Sequence, residues 1–327
     1  MTSMKNLLTN KLNDLFWTDF LFQGNFPEAR PLLAHYTTVS AFESIIRNEE
    51  IWFSSPLNMN DYEEMRFVVF ESMRIFRNSV DIRDACGNSA RYSILTNAME
   101  RQFNLLNYDH ASGIYVFCMT EHESGLDDGI LSMWRGYGAN GNGIALVIDT
   151  AKLVSVDHFP IMLSKVSYLS KTQRLGWINQ KLVECTKILS SGEVSDNDLS
   201  LVAEMLFDRI KLFSLVTKHP GFSEEKEWRV IYMKDRDNNH LLSEMIDYVI
   251  NGRGPELKFK YKFKPVAMLD EKNQEDFSLE NLVQKLIVGP CISGALTKKA
   301  VERMLQKIGK PNLIDKLVAS TIPYRSS

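Results

Sequence analysis

A chain of 327 residues with 38 basic and 41 acidic side chains carries a formal charge of -3, which excludes the global basic footprint of a dedicated nucleic-acid binder. Its composition, 44% hydrophobic and 24% charged, is that of a globular protein long enough to bury a core without staples. The four cysteines, Cys86, Cys118, Cys185 and Cys291, are scattered with no CxxC pair, so no zinc ribbon is expected and each reads as a small core residue.

The first 26 residues have apolar positions at helical spacing broken by Lys5, Lys11, Asp14 and Asp19. They predict an N-terminal helix and lack the uninterrupted apolar run of a signal peptide. No apolar run reaches the ~18 residues that a membrane span needs. No membrane partner is expected, and the location expected is a reducing, bacterial-type cytoplasm.

After the loop "GNFPEARP", "LLAHYTT" reads as a strand and "SAFESIIRNEE" as a helix with Ser40 and Glu43 at capping-box spacing. "IWFSS" is a second strand, and "NDYEEMRFVVFESMRIFRNSV" a helix opened by an Asp cap. Residues 82–107 predict another helix, "GIYVFCMTE" a strand, and "ILSMWRGYGANGNGIALVID" a short helix, a glycine-rich turn and a strand. Two helices follow between 171 and 217, the second apolar along Leu199, Val202, Leu206, Ile210 and Phe213. "EWRVIYM", "ELKFKYKFKP", "LVQKLIVG" and the tail "DKLVASTIPY" are strand candidates, with a helix at 295–308. Elements that cluster rather than alternate predict an α+β fold around a mixed β-sheet. Residues 27–327 are expected to form one domain with a helical insertion at about 170–217, following the N-terminal helix of 1–26.

In "ELKFKYKFKP" the alternation puts Lys258, Lys260, Lys262 and Lys264 on one face. Such a row can line a phosphate-binding surface, but it reads more simply as the solvated face of an edge strand.

The sequence contains no GxxxxGK[ST], GxSxG, HExxH or strand–helix GxGxxG motif. Four clusters of polar and aromatic residues remain at element ends: "HYTT" (35–38), "SSPLNMNDYEE" (54–64), "MWRGYG" (133–138) and "EEKEWR" (224–229). Each has a bland reading. His35 bonds its neighbours, Trp134 and Tyr137 are core aromatics with a satisfied polar tip, and Asn60 and Asp61 cap a helix. If residues 225–233 form a strand, alternation places Glu225, Glu227 and Arg229 on one face, with Lys226, Trp228 and Val230 on the other. Paired carboxylates beside a guanidinium suit glycosidic chemistry through an oxocarbenium-like cation. The competing reading is a salt-bridge network on a solvated face.

In order and rough spacing, "HYTTVSAFESIIRNEEIWFSSPLNMNDYEE", "SMWRGYGANGNGIALVID", "HPGFSEEKEWRVI" and "QKLIVGP" resemble the bacterial domain-of-unknown-function family 2971, from about His35 to Pro290. Met59 and Tyr62 stand where that family's pattern has Phe and Pro. That family is in turn distantly similar to ADP-ribosyltransferases, including DNA-modifying toxins of toxin–antitoxin pairs. The resemblance implies a split sheet and an enzyme that uses NAD as substrate, with no metal, to modify a nucleic acid or protein acceptor in a toxin or phage-defence setting. It implies that His35 bonds the adenosine-side ribose, Tyr36 and Thr37 hold the nicotinamide end, and Ser54 buttresses the site. Glu227 would stabilise the oxocarbenium, with Arg229 beside it, Glu225 would be the acceptor-side base, and Trp134 or Tyr137 would stack on nicotinamide or acceptor. Three other readings stay open: NAD hydrolysis without an acceptor base, a non-catalytic nucleotide sensor, and nucleic-acid processing with Asp61, Glu64 and Glu227 on Mg²⁺.

Overall fold

The computed structural model describes residues 2–21, 25–59, 62–108, 113–153, 159–252, 254–263, 278–291 and 294–324. The strands are β1 Leu32–Thr38, β2 Glu50–Ser54, β3 Ile114–His122, β4 Gly143–Asp149, β5 Ile161–Lys165, β6 Ser167–Tyr168, β7 Thr217–Lys218, β8 Glu227–Met233, β9 Ile246–Asn251, β10 Gly254–Lys262, β11 Val283–Val288 and β12 Leu317–Ala319. The helices up to residue 215 are α1 Thr2–Leu21, α2 Val39–Asn48, α3 Tyr62–Asn78, α4 Val80–Ala85, α5 Ser89–Tyr108, α6 Leu131–Gly136, α7 Lys171–Ser190 and α8 Leu199–Leu215. Two later helices span Leu279–Leu282 and Gly294–Lys307. The fold is α+β with a mixed sheet, as the clustering of elements predicts. Among the described residues no helix is long and apolar enough to cross a membrane.

The chain groups into two compact units. The first, residues 1–25, 55–114 and 165–223, is helical. The helices expected as an insertion at 170–217 therefore group with the N-terminal helix and with α3–α5. Leu199, Val202, Leu206, Ile210 and Phe213 of α8 are all buried, as their spacing predicts. The same helix carries a fully buried Arg209, whose guanidinium donates to Asp19 at 2.9 Å and lies 4.7 Å over the Trp177 ring. Burial raises the Asp19 pKa, but the Trp177 indole, Arg209 and Lys181 together hold it below the usual carboxylate value. The expected helix at 82–107 is two helices, because Gly87 adopts φ +77° between them and reverses the local backbone.

The second unit, residues 26–54, 115–164 and 224–327, holds the main sheet, in the order β12-β11-β4-β1-β3-β2-β10-β9, with β8 on β3 and β5 on β8. Pairing is antiparallel along β4, β1, β3, β2, β10 and β9, while β11 and β12 run parallel. β1 pairs β3 only from Leu32 to Ala34, opposite His122 to Thr120. Further along, β3 pairs β2 through Val116 and Ser54, while β1 continues beside β4 to Thr38. The sheet thus forks at His35, and there the Cys118 carbonyl accepts a 3.0 Å hydrogen bond from His35 Nδ1.

Local expectations are corrected at three places. The cap of α2 is Thr38, whose hydroxyl accepts from the Ala41 amide, and Glu43 pairs with Arg47 instead of closing a box with Ser40. β10 is no edge strand, since β2 and β9 flank it. Its Lys258, Lys260 and Lys262 are paired with Glu256, Asp247 and Glu50, while Lys264 lies outside the described residues. Finally, β8 begins at Glu227, because Lys226 has φ +40° and breaks the pleat before it. Glu225 belongs to the preceding 3₁₀ turn.

Candidate functional site

Register and alternation sort the candidate residues by face. Ala34 stands opposite Thr120 and Leu33 opposite Glu121. The indole of Trp228 donates to Glu121 at 3.2 Å, which puts Trp228 on the Leu33 face, and Glu227 and Arg229 on the Ala34 face. Tyr36 shares that face by alternation from Ala34, and Ser54 shares it through its pairing with Val116. His35 and Thr37 project from the opposite face.

On the Ala34 face, Glu227 and Arg229 are 5% and 4% exposed and form a two-pronged pair, Nε to Oε1 at 2.9 Å and Nη2 to Oε2 at 3.1 Å. The fork geometry matches both carboxylate oxygens. Glu225 is half-buried and accepts a hydrogen bond from the Tyr137 hydroxyl at 2.9 Å, which joins the "EEKEWR" cluster to "MWRGYG". Tyr137 is 49% exposed. Trp134 is fully buried: its indole donates to the Asp128 carbonyl and its edge meets the Tyr36 ring at 4.8 Å. The Tyr36 hydroxyl accepts from the Ile130 amide, and burial pushes its pKa up to about 12 against that bond. Trp134 and Tyr36 are thus core aromatics that set the position of α6. Ser54 accepts from the Lys258 ammonium at 2.8 Å.

His35 sits among apolar side chains, 4.3 Å from the Phe117 ring. Burial pushes its pKa below the ordinary 6.5, against the Cys118 carbonyl, which favours the protonated form. A depressed folded-state pKa means that the folded chain binds fewer protons than the unfolded one near pH 6.5. Stability is then full above that pH and falls on acidification. Denaturant titrations between pH 8 and 5 are expected to show this loss in the wild type and a smaller loss in His35→Phe. An identical loss in both proteins would mean that His35 titrates normally.

Asn60 and Asp61 lie outside the described residues, as does the side chain of Glu64 in the first turn of α3. Among the described residues, no group of three His, Cys, Asp or Glu side chains is arranged to hold a metal ion.

Sequence reasoning missed two groups. Lys258 was read as part of a solvated row, and its bond to Ser54 depends on the β2–β10 register. His122, opposite Leu32, is 5% exposed, and burial, then Lys285, lower its pKa against Asp127 and the Leu126 backbone, which favour the protonated form. A histidine that ends a strand beginning as a continuous apolar run was the available signal.

Residues 133–230 match the model of a family described as a protein of unknown function (DUF2971). The match takes in the "MWRGYG" and "EEKEWR" clusters and so supports the domain-of-unknown-function family to which their motifs point. "HYTT", "SSPLNMNDYEE" and "QKLIVGP" lie outside it. No curated protein and no solved structure matches the chain.

Proposed function

We propose that the chain is an NAD-using enzyme of the ADP-ribosyltransferase type that works from the Ala34 face of the forked sheet. The observation that carries this reading is the assembly of two carboxylates in different states on one end of β8. Glu227 is buried and aligned by Arg229, while Glu225 is half-exposed and bonded to Tyr137. Glycosidic transfer needs two such roles. A fixed carboxylate stabilises positive charge at the ribosyl carbon as the bond to nicotinamide breaks and the electron pair leaves with the ring nitrogen. A second carboxylate takes the proton from the acceptor that attacks that carbon. Glu227 fills the first role and Glu225 the second, with Tyr137 holding Glu225 and offering a ring face.

The reading draws support from the fork in the sheet and from Ser54 on the same face. It assigns His35 no contact with NAD, because His35 leaves β1 on the other face. A nucleic-acid or protein acceptor in a cytoplasmic toxin or defence setting is part of the same proposal. A carboxylate that is 5% exposed reaches substrate only where Arg229 yields room, so substrate access is the quantity to measure first.

The test is calorimetric binding of NAD to the full chain, together with assay of released nicotinamide. Binding with slow release is expected in the wild type. Glu227→Gln should lower release by about a hundredfold or more, in keeping with the usual weight of a charge-stabilising group. Glu225→Ala, at a more accessible position, should retain NAD binding and basal release but lose transfer to an acceptor. Absence of binding at millimolar NAD by folded wild-type protein refutes the reading.

A further inference from the structure

The second unit contains a cavity of about 150 Å³ on the Leu33 face of the sheet, away from the carboxylates. Its walls are almost wholly apolar among the described residues, with Phe53, Phe117 and Phe159 in them, and the polar members described are His35, Thr150 and Tyr261. The Thr150 hydroxyl is committed to the Pro31 carbonyl. Tyr261 is 3% exposed, and its buried hydroxyl has no hydrogen-bond partner among the described residues. A buried hydroxyl left unpaired costs free energy, so this one calls for a partner. His35 donates through Nδ1 to a carbonyl, which leaves Nε2 of the neutral ring as an acceptor.

We propose that this cavity binds a small neutral aromatic compound carrying one hydroxyl, of which phenol is the simplest member. Size sets the first limit, because an apolar cavity of about 150 Å³ stays dry and admits benzene. Water is a poor occupant, since it needs two to four polar partners and these walls supply few. A charged ligand is excluded by the cost of burying its charge among apolar walls without a counter-ion. The hydroxyl of the ligand accepts from Tyr261, with His35 Nε2 as a second polar group in the same wall, and its ring packs on the phenylalanines. This inference is independent of the NAD reading, which uses the other face.

Phenol and benzene titrations of the full chain, followed by ligand-observed NMR and by the thermal unfolding midpoint, test the proposal. Saturable phenol binding is expected, tighter than that of benzene. Tyr261→Phe should weaken phenol binding about fivefold, the usual weight of one hydrogen bond, and leave benzene unchanged. Val230→Phe, or Leu282→Phe if the former does not fold, fills the cavity and should abolish both. No saturable phenol binding by folded wild type, benzene binding as tight as phenol, or phenol affinity unchanged in Tyr261→Phe would overturn the proposal.

Discussion

Glu227→Ala is expected to destabilise the protein by about 3–5 kcal/mol, the usual cost of breaking a buried ion pair by removing one member. Arg229 is 4% exposed and bonds both Glu227 oxygens. Truncating the carboxylate therefore removes this two-pronged contact from a buried guanidinium that cannot lose its proton. The double variant Glu227→Met with Arg229→Met removes both charges and conserves apolar volume, so it should recover most of the loss, because the pair's attraction roughly balances its desolvation. Urea unfolding of the two singles and the double gives the coupling energy directly. A single-variant loss below about 1 kcal/mol, the range of a solvated surface pair, would mean that this end of β8 is open to water. Stability and activity also separate here. A stable double variant with no nicotinamide release assigns the pair to function, whereas a double variant that keeps release assigns it to structure alone.

Gly143→Ala is the second substitution expected to have a large effect, about 3 kcal/mol or failure to fold, from overpacking against rigid atoms. A Cβ at this position would lie 2.2 Å from the Thr37 carbonyl oxygen and 2.8 Å from the Gly138 carbonyl. These are backbone atoms, so no rotamer change relieves the clash. The glycine lies where β4 meets the end of β1, opposite Thr38, and its carbonyl accepts from the Gly289 amide at 2.9 Å. Three of the glycines in "GYGANGNG" and "VGP" thus serve one close backbone junction beside Tyr137, which is why the turn before the strand tolerates no side chain there. Gly136→Ala is the control, since a Cβ there meets nothing within 4 Å and the position ends a helix. It should be neutral or slightly stabilising by thermal melt. Equal effects at the two positions would show that crowding at Thr37 is not what requires glycine.

Much of the architecture was legible in local patterns. The strand readings of "LLAHYTT", "GIYVFCMTE" and "EWRVIYM" and the helical spacing along α8 correspond to observed elements. These are properties of a few consecutive residues whose side chains must share a buried face. The short strands β5 and β9 had no such signature: β9, from Ile246 to Asn251, is largely exposed on both faces, so no burial pattern marks it. The tail "DKLVASTIPY" yields only Leu317–Ala319 as strand, where β11 offers it parallel partners.

The candidate site was legible as a set of residue types and less so as a geometry. Alternation correctly put Glu227 beside Arg229, because both lie within one strand. It failed for Glu225, because the left-handed Lys226 interrupts the pleat, and Glu225 is instead joined to Tyr137, 88 positions away. Glu227, Arg229, Tyr36 and Ser54 share a face, and His35 takes the opposite one, only by virtue of strand pairings between distant segments. The same pairings turn the lysine row of β10 from an edge into an interior strand with acidic partners. The sequence by itself determined which segments are strands or helices, since that depends on neighbours along the chain. Tertiary structure alone decided where the sheet forks, which face each polar group takes and which charges meet, because register links residues that the chain keeps far apart.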